Sequence, residues 1–242
     1  MRQIRAVIFD CDGVVIDSGA DMAASVNATL DHFNMKRVPE QKIVSFVGNG
    51  ARMLVIRSVN YSVQESGMDG ADIPPEQMNR ILDWYVEYYH AHAVERTVLY
   101  PGFIDLVEHL LLHRIHMAVV SNKPVDITKK ILGYFDIDEY FDAVIGPELL
   151  QHIKPDPEGL ILSLKTINTD IASVADPGEF TPISSADTLM VGDSCVDIQA
   201  GRNFGALTCA VTGGLGDKKK LAAEHADITV RYAGELRGLL AL

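Results

Sequence analysis

Short apolar runs rich in Val and Ile recur along the chain at Ala6–Phe9, His116–Val120, Ala143–Ile145, Thr188–Val191, Leu207–Val211 and Ile228–Val230. Unbroken runs of this kind fit strands buried on both faces, as in a parallel sheet. Most of them are separated by segments of helical period. Gly102–His113 puts Phe103, Leu106, Val107, Leu110 and Leu111 on one face. Pro124–Phe135 and Pro157–Ile167 behave alike, and each opens on a proline suited to a first helical turn. The alternation predicts an α/β protein with a Rossmann-like parallel sheet.

The alternation fails once. After the first strand, residues 18–95 carry helical patterns and no strand: Met22, Val26, Leu30 and Phe33 fall about a turn apart, and Gln41–Val59 and Glu76–His92 continue the theme. A crossover between parallel strands needs only about a dozen residues. The block therefore reads as an all-helical cap, residues 18–95, inserted into a core of residues 1–17 and 96–242. Thr169–Ala186, with Pro177, Gly178, Pro182, Ser184 and Ser185, reads as an irregular surface insertion. A partner contact or an active-site flap is the other reading of that stretch.

Composition narrows the function. The 242 residues are 48% hydrophobic and 22% charged, which suits a globular protein and excludes wholesale disorder. Lys plus Arg is 21 and Asp plus Glu is 33, a net charge of −12. That field repels phosphate backbones, so nucleic acid is not expected as a partner. A small phosphorylated ligand held by a local lysine or metal stays open. Cys11, Cys195 and Cys209 make neither a disulfide framework nor a zinc spacing. The first apolar run ends at Asp10 without the longer apolar core of a signal peptide, and no run approaches the roughly 18 apolar residues of a membrane span. A soluble, cytoplasmic protein with no membrane partner is expected.

Four strand tips carry polar groups. The first ends in DCDGVVIDS, where Asp10 and Asp12 stand two apart and Gly13 allows a sharp turn. Close like charges at the end of a buried strand require a cation or a chemical task. His116–Val120 runs into Ser121-Asn122-Lys123-Pro124, where a hydroxyl can bind an anion or cap a helix. IKPDPEG offers Lys154, biased to an extended conformation by Pro155. Thr188–Val191 runs into GDSCVD, where Asp193 and Asp197 lie one helical turn apart. That pair can present carboxylates to a hard cation, or cap and stabilise a helix start. The carboxyl ends of parallel strands share one sheet edge, so these groups converge there. Together they suit a magnesium ion, a nucleophilic Asp and a phosphoryl group.

In this order the motifs resemble those of the haloacid dehalogenase superfamily, over nearly the whole chain. SNKP and KPDPEG are most similar to its phosphoglycolate phosphatase-like branch. The resemblance implies that Asp10 attacks phosphorus and that Asp12 protonates the leaving oxygen and later activates water. It implies that Ser121 and Lys154 stabilise the phosphoryl charge. It gives Mg²⁺ as cofactor, held by Asp10, the Asp12 backbone carbonyl, Asp193 and, in support, Asp197. Asp12 speaks against dehalogenase chemistry. The implied activity is hydrolysis of a small phosphorylated metabolite, with phosphoglycolate the leading single substrate. A sugar phosphomutase using the same nucleophile, or a non-catalytic phospho-ligand sensor, are the competing readings.

Substrate choice is expected from the cap. VGNGARM supplies Gly48, Asn49, Gly50 and Arg52, the last suited to a carboxylate or second phosphate; an ordinary turn with a solvated Arg52 is the plainer alternative. Asn122 is the matching candidate on the core side. Hinges are expected near Val15–Ser18 and Arg96–Pro101. Trp84, Tyr85, Tyr88 and Tyr89 read as cap core, and Cys11 and Cys195 as packing residues. A monomer or homodimer is expected.

Overall fold

The computed structural model describes residues 4–67, 73–175 and 180–239. Strands β1 (Ala6–Phe9), β4 (His116–Val120), β5 (Ala143–Ile145), β6 (Thr188–Gly192), β7 (Leu207–Val211) and β8 (Ile228–Val230) form one sheet in the order β5-β4-β1-β6-β7-β8. Every pairing in it is parallel. β1 lies between β4 and β6, and all its residues are buried. Its side chains divide by the two-residue period. Val7 and Phe9 join one core, with Phe103 of α5 (Phe103–Leu112) set edge-on to Phe9 at 5.4 Å. Ala6 and Ile8 join the core on the other face, with Leu160, Leu164 and Ile167 of α7 (Glu158–Val174). Helices cover both faces, as the unbroken apolar strands require.

The chain leaves this core through β2 (Ile16–Asp17) and returns through β3 (Val98–Leu99), an antiparallel pair. Between them lie α1 (Gly19–His32), α2 (Glu40–Val44), α3 (Gly50–Glu65) and α4 (Pro75–His92). On α4, Met78, Ile81, Tyr85 and Tyr89 recur at helical spacing and are buried. Trp84, Tyr88 and His92 stack along the neighbouring face, and His32 of α1 continues the stack at 4.6 Å from Trp84. The aromatic cluster thus divides: two tyrosines point inward, while Trp84 and Tyr88 stay half-buried.

One expectation is refined and one corrected. The helical stretch Gln41–Val59 is two helices divided by a turn that includes Gly48. It breaks between α2 and α3, where Gly48 and Gly50 adopt φ +113° and +80°, conformations outside the helical region. The stretch expected to be irregular from Thr169 is helical to Val174, because Ile171 continues the apolar face of Leu160, Leu164 and Ile167. After it, the Asn168 side chain both donates to and accepts from the Ile183 backbone, at 2.9 and 2.8 Å. Residues 176–179 of that stretch lie outside the described residues. Among the described residues no helix is long and apolar enough to cross a membrane.

Candidate active site

The carboxyl end of β1 places Asp10 against β6, its amide donating to the Val191 carbonyl at 2.9 Å. Asp10, Lys154, Asp193 and Asp197 are all buried. The Lys154 ammonium lies 2.8 Å from Asp10 Oδ1 and 2.7 Å from Asp197 Oδ1, and donates to the Val120 carbonyl at 2.7 Å. Lys154 is therefore fixed by three strand tips, β1, β4 and the β6 turn. Its peptide bond to Pro155 is cis.

Asp197 caps the start of the helix that holds it and pairs with Lys154. Its Oδ2 accepts from the Ser194 amide and hydroxyl at 3.0 and 2.6 Å, closing a capping box at the start of α8 (Cys195–Phe204). Its Oδ1 turns inward to Lys154. Asp193 Oδ2 accepts from the Leu215 and Gly216 amides at 2.7 and 2.9 Å. Gly13 permits this close approach: at φ +85°, a Cβ there would lie 1.8 Å from Asp193 Oδ2.

The electrostatics follow from burial. Carboxylate oxygens of Asp10, Asp193 and Asp197 lie within 4.8 Å of one another. Desolvation pushes the Asp10 carboxyl up to about 6; Lys154 pulls it down, while Asp197 and Asp12 add repulsion. Asp193 is raised for the same reasons, burial first and then Asp197 and Asp10. Burial alone would lower Lys154, but Asp10 and Asp197 outweigh it and hold the ammonium above its usual range.

Asp12 occupies a separate arrangement. Its Oδ1 accepts from the Ser18 hydroxyl and lies 2.9 Å from the Lys123 ammonium. Lys123 is itself buried and donates to the Tyr89 hydroxyl of α4. Sequence alone assigns Lys123 no role, because a lysine next to a helix start is ordinarily solvated. Its one clue is the Ser121-Asn122-Lys123-Pro124 context. The Gly213–Gly216 loop that binds Asp193 carries no chemical side chain and gives no signal in the sequence.

One cavity collects these groups. Asp10, Asp12, Ser121, Asn122, Lys154 and Asp193 line it from the core; Gly48 and Gly50 line it from the opposing helices. Asn122 Nδ2 donates to the Gly48 carbonyl at 3.2 Å and the Lys154 carbonyl at 3.3 Å, while its Oδ1 accepts from the Lys154 amide at 3.2 Å. Gly50 sits where a Cβ would lie 3.2 Å from the Asn122 carbonyl. Asn122 thus joins the Gly48 turn to the Lys154 loop. Asp197 lies behind the cavity wall and reaches it through Lys154. Two candidates are not brought in. Asn49 faces an adjoining surface groove. Arg52 is exposed and donates to Asn79 of α4 at 3.0 Å; Ala51 and Leu54 take the inward face of α3, and position 52 is rotated off it. Cys11, Cys195 and Cys209 are free thiols, and Cys11 and Cys209 are buried.

The relatives of the chain identify its family. The pattern of the haloacid dehalogenase-like hydrolase family matches residues 7–211. Phosphoglycolate phosphatase of Salmonella typhi is 31% identical, over 100% of this chain and 94% of that protein. Phosphoglycolate phosphatase 1 of Pseudomonas aeruginosa is 31% identical, over 99% of this chain and 79% of that protein. The crystal structure of a predicted phosphoglycolate phosphatase from Haemophilus somnus 129PT superposes with a TM-score of 0.84 at 25% identity, covering 99% of both chains. The chain belongs to the haloacid dehalogenase-like hydrolase family.

Proposed function

We propose that the protein is a magnesium-dependent phosphomonoester hydrolase acting through an aspartyl-phosphate, with 2-phosphoglycolate the leading substrate. The observation that carries this reading is the single cavity shared by Asp10, Asp12, Ser121, Lys154 and Asp193. The two phosphoglycolate phosphatases at 31% identity support the substrate.

The residues fit a divalent cation. Three buried carboxylates cluster together, and the ammonium among them, that of Lys154, pairs with only Asp10 and Asp197 of the three, which leaves excess negative charge in a desolvated site. Asp10, Asp193 and the Asp12 carbonyl would hold the ion, with Asp197 in support. Bound there, it supplies positive charge that screens the nucleophile from the phosphate.

The protein's own groups divide the remaining work. Asp10 attacks phosphorus in line, forming the Asp10 O–P bond as the ester P–O bond breaks. Asp12 gives its proton to the departing oxygen, then takes one from the water that opens the aspartyl-phosphate, returning Asp10 and free phosphate. Ser121 donates to a phosphoryl oxygen, and Lys154 neutralises charge on Asp10 and the phosphoryl group. Helices α1 to α4 act as the cap (residues 18–95 against the core of 1–17 and 96–242), excluding water from the reaction. Gly48 and Gly50 form the substrate-facing turn with Asn122.

Phosphate release from a panel of phosphorylated metabolites, with and without magnesium, tests the reading. Release is expected to need the metal, to be greatest with 2-phosphoglycolate, and to fall on the order of 10³-fold or more in Asp10→Asn. Folded, magnesium-loaded protein that releases no phosphate from any substrate would sink it. Isomerised sugar phosphate in place of free phosphate would favour a mutase.

A further inference from the structure

Lys123 is the buried cation that the reaction above does not use. Its side chain is 2% exposed, and it lines the cavity. An ammonium has three N–H donors. Two find protein partners, Asp12 Oδ1 at 2.9 Å and the Tyr89 hydroxyl. The third has no hydrogen-bond acceptor among the described residues, although the Tyr89 ring lies beneath the ammonium at 4.5 Å. A buried charge with an open donor is costly unless a ligand completes it.

Its position defines which part of a ligand that is. Lys154 already serves the phosphoryl side, through Asp10. Lys123 touches Asp12, the residue assigned to the leaving oxygen, and Tyr89 of the helical lid. It therefore stands on the leaving-group side. The opposing wall is Met22, Val47, Ala51, Leu54 and Tyr85, without a Lys or Arg among the described residues. With Asp12 carrying the proton it gives to the leaving oxygen, the charge of this one ammonium, set against an apolar wall, suits a single carboxylate. A second phosphate would bring more charge than the wall can match.

Resting on the phosphatase reading, we infer that Lys123 is a specificity residue that binds a carboxylate on the leaving group, selecting phosphomonoesters of short hydroxy acids. Tyr89 orients it, so the carboxylate site is complete only while α4 is docked on the core. The contact resides in substrate binding and not in attack on phosphorus.

The test compares kcat/KM for 2-phosphoglycolate and for ethyl phosphate, which has the same chain length and no carboxylate. Wild type is expected to favour phosphoglycolate by about 10²-fold or more. In Lys123→Met this ratio is expected to fall about tenfold or more, mostly through KM, with Lys123→Arg recovering part of it. Any damage done through Asp12 affects both substrates and divides out of the ratio. Lys123→Gln, which keeps a polar head, serves if the Met variant does not fold, and the same fall is expected. A folded, active variant with the wild-type ratio overturns this inference alone. Wild type inert toward both esters overturns it together with the phosphatase reading.

Discussion

Asp21 and Thr97, 76 residues apart in the chain, are joined by two hydrogen bonds: Asp21 Oδ2 accepts from the Thr97 amide at 2.9 Å and from its hydroxyl at 2.8 Å. The same oxygen accepts from the Arg96 amide at 2.9 Å. Asp21 is in the first turn of α1, and Thr97 immediately precedes β3. The contact therefore clasps the two strands through which the chain leaves and re-enters the core.

Removing that clasp leaves buried donors without an acceptor. Asp21→Ala is expected to destabilise by about 3–5 kcal/mol, since hydrogen bonds to a charged group are worth about 1.5–3 kcal/mol each. Asp21→Asn retains an acceptor oxygen and should lose clearly less. Urea unfolding of the three proteins measures both. A loss below about 1 kcal/mol in the alanine variant would show that the helices are held on the core by other contacts.

The clasp also marks the limit of what the sequence discloses. Strands, helix faces and strand-tip acids depend on local periodicity and on the shared edge of a parallel sheet, so β1, Asp10, Lys154 and Asp193 are legible from spacing. Contacts between distant segments are not. Nothing local to Asp21 points to Thr97, and nothing local to Lys123 points to Tyr89 on α4. The helix break at residues 45–49 has a local cause, the glycines of VGNGARM, that apolar spacing alone does not show. Apolar residues on both sides keep helical spacing, and the φ values of Gly48 and Gly50 decide the break. Arg52 falls outside the cavity because its side of α3 depends on that break.

Magnesium is expected to stabilise the protein strongly, because Asp10, Asp193 and Asp197 outnumber the ammonium beside them, that of Lys154. At about 100 times Kd, linkage gives about 2.7 kcal/mol. For a chain of this size that is a rise of about 5–10 °C in Tm. Asp193→Asn should abolish most of the rise while leaving the metal-free Tm unchanged or higher, since it removes a buried charge. Thermal scans with EDTA and with magnesium decide this. An undiminished rise in the variant would remove Asp193 from the ligand set.

In metal-free protein the contribution of Asp10 to stability should fall as pH rises from about 4 to about 6. The Asp10 carboxyl is pushed up to about 6 from the ordinary aspartate value of 3.8, chiefly by burial. Between those values this group binds more protons in the folded state than in the unfolded one, so its contribution falls with rising pH. The loss is about 3 kcal/mol, because each pH unit between the two values contributes about 1.4 kcal/mol. It is complete above about pH 6 and absent below about pH 4. Unfolding in EDTA across this range, for wild type and Asp10→Asn, isolates the contribution. Parallel pH dependences in the two proteins would refute it.

Lys154→Met separates the two duties of the lysine. It contacts Asp10 and Asp197 and fastens to the Val120 carbonyl. Removing one partner of a buried charged cluster costs about 3–5 kcal/mol, and here it leaves the acids without their cation. Without metal the variant should therefore be markedly less stable than wild type. Magnesium should restore more stability to it than it adds to wild type, because a cation then neutralises the unopposed repulsion. Activity should not return with stability, since the metal does not replace the ammonium beside the phosphoryl oxygens. A residual kcat/KM about 10²-fold or more below wild type is expected in folded, magnesium-saturated variant. Recovery of activity alongside Tm would reduce Lys154 to a structural counter-ion.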